Sequence, residues 1–184
     1  MVNHTMDEVV HNVDDRDRFY MELAFNEARE AAAAGEIPVG AVVVCDGEVI
    51  ARAHNRREES QNPMAHAEVL ALQAASLHLK SWRLGDCSLY VTLEPCVMCV
   101  GAILQARIAR LVFGCLDPKA GAVESLYRLC QDSRLNHTLP VTRGVIESEC
   151  GAILSEFFAE LRERKLSAPS FHPGGVGEAV KADS

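Results

Sequence analysis

The segment Glu94-Pro95-Cys96-Val97-Met98-Cys99, read together with the earlier Pro63-Met64-Ala65-His66-Ala67-Glu68, limits this chain more than any other feature. The two segments offer one imidazole, two thiols and one free carboxylate. That set suits a zinc ion with three protein ligands and a water in the fourth place, the arrangement of a catalytic rather than a structural site. Cys96 and Cys99 stand three apart just after a proline, a residue favoured at the first position of a helix. Two thiolates on a first turn converge on one metal, and the helix N-terminus favours their negative charge. His66 and Glu68 are two apart and turn about 200° from one another on an ideal helix. They are therefore not two ligands of one ion. The division of labour that fits is His66 on the metal with Cys96 and Cys99, and Glu68 beside it, reaching the bound water as acid and base.

A strand followed by a helix bearing Cys-x-x-Cys also describes a redox dithiol, and a lone histidine near an apolar helix is usually just packed. His66 and Glu68 together decide for zinc. His-x-Glu with a later Pro-Cys-x-x-Cys is the signature of zinc nucleobase deaminases. Over residues 19–165 the chain resembles the bacterial tRNA-specific adenosine deaminase family. The resemblance covers Ile37-Pro38-Val39-Gly40-Ala41, His54-Asn55-Arg56, Ala65-His66-Ala67-Glu68, Leu89-Tyr90-Val91-Thr92-Leu93 with the cysteine segment, Val112-Phe113-Gly114 and Ser155-Glu156-Phe157-Phe158.

The resemblance implies a cytidine deaminase-like α/β fold of three layers, α/β/α, with a mixed five-stranded sheet whose last two strands are parallel because a helix joins them. It implies hydrolytic deamination of the wobble adenosine to inosine in a tRNA anticodon stem-loop, one Zn2+ per subunit, and a homodimer. It sets Asn55 where the family holds the target base, Asp117 and Lys119 in a loop that contacts the RNA beside the flipped base, and Phe157 and Phe158 near the substrate loop. Arg162, Arg164 and Lys165 would then meet phosphates. The family usually has a proline and an aspartate where this chain has Arg57 and Asn62, which bears on RNA contact in that loop and not on the chemistry.

Read without the resemblance, Asn55 is either a turn residue or an amide placed to read a base edge. Asp117 and Lys119 are either an exposed turn or part of a ligand site beyond the carboxyl end of a strand. Phe157 and Phe158 are core residues by default. Two rival functions share the metal motif: a deaminase of a free nucleobase or nucleoside, and a zinc-stabilised RNA-binding module without chemistry. Glu68 counts against the second, since a structural zinc site does not need it.

At 184 residues the chain is long enough for one domain with a full core and too short for a second catalytic domain. Seven cysteines without regular spacing argue against a disulfide framework and for a reducing compartment. Cys45, Cys87, Cys115, Cys130 and Cys150 are expected as small buried hydrophobes. The acidic start lacks a signal peptide, and no apolar run is long enough to span a bilayer, so the cytoplasm is expected. The net charge of −8 fits RNA poorly. Any RNA contact must be a local patch on a small element.

Residues 1–16 and 166–184 read as disordered tails around a deaminase domain at 17–165, with His4 and His11 solvated. A helix is expected over 17–34 with Asp17 as its cap, then a hairpin of strands at 39–45 and 48–53 across Asp46-Gly47 with a type I′ turn. Pro63 opens the helix that carries His66 and Glu68. Further elements are a strand at 87–93, a helix at 95–105 apolar nearly all round and partly buried against another subunit, and a strand at 109–113. A helix at 123–130 with Leu126 and Tyr127 packed, a strand at 141–146 and a helix at 148–165 complete the chain. His137 is expected to be solvated.

Overall fold

The computed structural model describes residues 15–167. The two expected tails, with His4 and His11, lie outside them apart from the inner two residues of each tail, which are helical. The valine-rich run becomes β1 (Gly40–Cys45), paired antiparallel with β2 (Glu48–His54). Asp46 and Gly47 have φ of 50° and 82°, the double positive φ of a type I′ turn. On its other edge β1 pairs antiparallel with β3 (Cys87–Leu93), and β3 runs parallel to β4 (Arg110–Cys115), which runs parallel to β5 (Val141–Arg143). The mixed sheet has the order β2-β1-β3-β4-β5.

Alternation along β1 builds the two halves of the core. Ala41 and Val43 join Leu89, Val91, Leu111 and Phe113 under two helices, α3 (Ala67–Leu79) and α4 (Val97–Ala106). Val42 and Val44 face Met21 and Ala24 of α1 (Asp15–Ala33), on the side that also holds α5 (Glu147–Ser167). Helix α1 comes very close to β1: a Cβ on Gly40 would collide with the backbone at Ala24 and Ala28. Three layers result, with the ends of the parallel strands β3 and β4 opening toward Glu94 and Leu116.

Several elements differ from expectation. Asp17 does not cap α1; it lies within the helix, 3% exposed, where it accepts two hydrogen bonds from Arg110 (2.8 and 2.6 Å) and one from the Tyr90 hydroxyl (3.0 Å). Residues 57–60, read as a loop, form a short helix α2 (Arg57–Ser60). Pro63 and Met64 make a turn, and α3 starts only at Ala67. Helix α4 starts at Val97, two residues later than expected, and leaves Val97 52% exposed in the single chain. No helix forms at 123–130; the segment holds turns and a single 3-10 turn at Leu129–Gln131, and Leu126 and Tyr127 are exposed. The parallel pair β4 and β5 is thus joined by a long irregular connection and not by an α-helix. Strand β5 ends at Arg143 because Gly144 takes a positive φ of 81°. His137 is half-buried, with a ring nitrogen 2.8 Å from the Ile108 carbonyl.

All seven cysteines are free thiols, and Cys87, Cys115, Cys130 and Cys150 are buried as expected, with Cys45 half-buried. No helix among the described residues is long and apolar enough to cross a membrane.

The Asp17 cluster ties the first helix to β3 and β4. Removing one partner of a fully buried ion pair costs about 3 to 5 kcal/mol, and the Arg110 side chain is 34% exposed, so solvent offsets part of that. Asp17→Ala is expected to lose about 2 to 3 kcal/mol in urea denaturation; an unchanged midpoint would show that the cluster does not secure α1.

Candidate active site

The local sequence delivers both halves of the donor set to helix N-termini. Proline at position 63 disfavours helical backbone at Asn62, whose side-chain oxygen instead accepts the Met64 N–H at 3.0 Å. The chain leaves that turn extended, so His66 is the N-cap of α3 (φ −79°, ψ 149°) and Glu68 sits in the first turn. Strand β3 ends at Leu93 as expected, but the helix expected from Pro95 begins at Val97, which makes Cys96 the N-cap of α4 (φ −75°, ψ 173°) and places Cys99 in its first turn.

The His66 Nδ1 atom lies 3.8 Å from Cys96 Sγ and 3.5 Å from Cys99 Sγ, and all three donor atoms fall within 4.8 Å of one another. Zinc bonds of about 2.3 Å to sulfur and 2.0 to 2.1 Å to nitrogen, at tetrahedral angles, require an S to N separation of about 3.6 Å. The donor set therefore fits a metal ion, and it is the one such His/Cys/carboxylate cluster among the described residues. Hydrogen bonds from Cys99 and then His66 pull the Cys96 thiol down to about 4. The Cys99 thiol is pushed up, first by its bond to Cys96 and then by burial, and the bond to Cys96 raises His66. Two helix N-termini facing this cluster favour its negative charge.

Beside the donors is a cavity of about 220 Å³ with Ile37, Val39 and Leu93 as apolar wall and Asn55, Glu68 and Asp117 as polar wall. It is smaller than ordinary ligand pockets of about 300 to 1,000 Å³, which suits a single base. Glu68 is 4% exposed, and burial pushes its carboxyl above the usual range.

Of the expected substrate residues, Asn55 and Asp117 line this cavity. Asp117 is also a turn residue, its Oδ1 accepting the Lys119 and Ala120 N–H groups. Lys119 does not reach the cavity; with Phe158, Leu154 and Arg162 it lines an adjoining groove of about 540 Å³. Phe158 is 39% exposed and so is not core, and Phe157 packs edge-on against it at 5.6 Å without lining either space.

Two buried carboxylates escaped the reading of the sequence. Glu36, 1% exposed, accepts from Asn55 Nδ2 (3.0 Å) and the Glu59 N–H (2.7 Å). Glu94, 2% exposed, accepts from the Asp117, Val123, Glu124 and Ser125 N–H groups and from the Ser125 hydroxyl. Burial alone would raise Glu94, but the Ser125 hydroxyl and the backbone donors outweigh it and hold the carboxyl below its usual range. A Cβ on Gly121 would strike the Glu94 carboxylate, so only glycine lets this loop close over it. The signal available in the sequence was a charged residue flanked by apolar ones, as in Leu93-Glu94-Pro95.

Residues 14–162 match the MafB19-like deaminase family. The chain is 50% identical over 153 residues to the tRNA-specific adenosine deaminase of Bacillus subtilis, covering 83% of this chain and 95% of that protein. A structure solved in biochemical and structural studies of A-to-I editing by tRNA:A34 deaminases at the wobble position is similar with a TM-score of 0.72 and 48% identity, covering 74% of this chain and 99% of that one. A crystal structure of a protein in complex with 8-azaguanine is similar at 0.68 and 26% identity, covering 78% and 84%.

The geometry makes Cys99 indispensable to the donor set. Cys99→Ala is expected to lose stoichiometric zinc in elemental analysis, whereas one zinc per chain in that variant would refute its place among the ligands.

Proposed function

The chain belongs to the MafB19-like deaminases and to the tRNA-specific adenosine deaminase family, and on that premise we propose that it converts the wobble adenosine of a tRNA anticodon loop to inosine by hydrolysis. The observation that supports this best is the buried Glu68 in a base-sized cavity beside His66, Cys96 and Cys99. We assign those three residues to a zinc ion. When bound, zinc lowers the pKa of water enough to make hydroxide available near neutral pH.

Glu68 does the proton work. It takes a proton from the attacking water and hands it to the adenine ring nitrogen as oxygen adds at C6. It then takes the proton of the new C6 hydroxyl and passes it to the departing amine; the C6–N bond breaks as the C6 carbonyl forms, and ammonia leaves with inosine as product. A carboxyl raised by burial is suited to carrying each proton in turn from oxygen to nitrogen. Ile37, Val39 and Leu93 exclude bulk water, and we assign Asn55 to holding the base.

The target base must leave its stack to enter the cavity, and an anticodon loop has already unpaired it, so extrusion costs least there. The chain's acidic balance is offset in the groove, where Lys119 and Arg162 stand against Asp117 alone. We assign this groove, with Asp117 and Phe158, to nucleotides flanking the target; stacking on an aromatic ring contributes about 1 to 3 kcal/mol. Phe157 then acts by supporting Phe158. A homodimer is supported by the exposed apolar side chain of Val97 on α4, and a cytoplasmic setting by the free thiols. The deaminase unit we assign is 17–165.

The likeness to a protein holding 8-azaguanine favours one second reading, deamination of a free purine. Zinc-loaded enzyme given an anticodon stem-loop with a wobble adenosine, alongside free adenosine, adenine, guanine and cytosine, is expected to form inosine in the stem-loop alone. Turnover of a free base alone would overturn the RNA assignment. Glu68→Gln is expected to keep zinc and lose about 100- to 10,000-fold in kcat; near-normal kcat would remove Glu68 from the chemistry.

A further inference from the structure

Asn55 is almost wholly buried in the cavity wall, and its backbone is pinned by a bond from its N–H to the Val39 carbonyl (3.0 Å). Its side-chain amide is held at one end only. Nδ2 donates to Glu36 Oε2 at 3.0 Å, while Oδ1 has no hydrogen-bond partner among the described residues. An ionised carboxylate accepts hydrogen bonds and donates none. Glu36 can therefore face the NH2 end of the amide and never the oxygen, which fixes the flip of the side chain by chemistry.

Glu36 is itself fixed. Its N–H bonds to the Ala31 carbonyl at the end of α1 (2.9 Å), and its Oε1 takes the Glu59 N–H at 2.7 Å. The carboxylate thus cannot follow Asn55 if the amide turns.

We propose that Glu36 is a positioning residue that sets specificity: it locks Asn55 with the acceptor Oδ1 turned to the base and one N–H left over. This inference rests on the reading of Asn55 as the residue that holds the base. The pattern so presented, one acceptor and one donor, complements the N6 donor and N7 acceptor of adenine, an edge that side-chain amides pair with. Guanine offers two acceptors, O6 and N7, on the same edge, so the locked oxygen would meet a lone pair. A carboxylate that never touches substrate thereby chooses between purines.

The test is a double-mutant cycle on the zinc-loaded full chain, with kcat and KM measured on the adenosine stem-loop and with zinc content and melting temperature recorded for each variant. Glu36→Gln replaces the acceptor-only group with an amide that tolerates either flip of Asn55. It is expected to lower kcat/KM by about 10- to 100-fold, as for the loss of a hydrogen bond to a charged group. The loss should fall mainly on KM, because a contact with the bound base acts before and during the reaction alike, whereas a damaged metal site would lower kcat. In an Asn55→Ala background the same substitution is expected to change kcat/KM by less than about twofold, since residues that act as a unit are not additive.

A wild-type Glu36→Gln enzyme, or an equal loss in both backgrounds, would overturn the role of Glu36 while leaving Asn55 in place. Wild-type kcat/KM in Asn55→Ala alone would instead overturn the reading of Asn55, and this inference with it. If Glu36→Gln melts early or loses zinc, the same cycle with Glu36→Asp decides, because aspartate keeps the acceptor but draws it back from Nδ2.

Discussion

Two helix N-termini converge on one point, and the rest of the architecture serves to hold them there. Helices α3 and α4 lie on the same face of the sheet, each starting where the chain leaves an extended segment, and each contributes its N-cap residue, His66 or Cys96, to the cluster. Thiolates are costly to bury without compensation. The positive ends of two helix dipoles supply some of it, and a cation among the three donors would supply the remainder. The parallel pairing of β3 and β4 fixes the separation of α4 from the loop beyond β4, which is why Asp117 lines the same cavity as Cys96.

Three buried glutamates surround that cavity, and their environments give them different tasks. Glu94 is saturated with donors, four of them backbone, and therefore stays ionised and stitches the 117–125 loop to the segment that carries Cys96 and Cys99. Glu36 has two donors and spends one on Asn55. Glu68 is raised by burial and faces the cavity, so of the three it is the one suited to exchange a proton. Residue type alone does not distinguish them; the number and direction of the donors around each carboxylate does.

The same contrast explains what could be seen in the sequence. His66, Glu68, Cys96 and Cys99 were legible because metal chemistry demands particular residue types at short spacings. The hairpin was legible because Asp-Gly has few other uses between two apolar runs. Glu36 and Glu94 were not, because their partners lie 19 to 31 residues away and are an amide and backbone N–H groups, which leave no pattern. The helix expected at 123–130 does not form because the bonds that would continue it go elsewhere: Val123, Glu124 and Ser125 donate to the Glu94 carboxylate, as a first turn could, but the Leu126 N–H reaches back to Gly121 and the Leu129 N–H to Ala122, so no run of i to i−4 bonds follows. The early start expected for α3 failed for a local reason, the Asn62 side chain bonding Met64 in a turn. Phe157 and Phe158 read as core because aromatic residues on a helix usually are, yet Phe158 is exposed along the groove and Phe157, packed edge-on against it, is only half-buried.

The central claim is that these two helix starts build a metal centre with an open position beside Glu68. X-ray absorption at the zinc edge of the loaded protein tests it directly. The expected first shell is two sulfurs at about 2.3 Å, one nitrogen at about 2.0 to 2.1 Å and one light atom from solvent. A shell of three or four sulfurs, or one with no sulfur, would contradict the account, because it would place the ion on residues other than His66, Cys96 and Cys99.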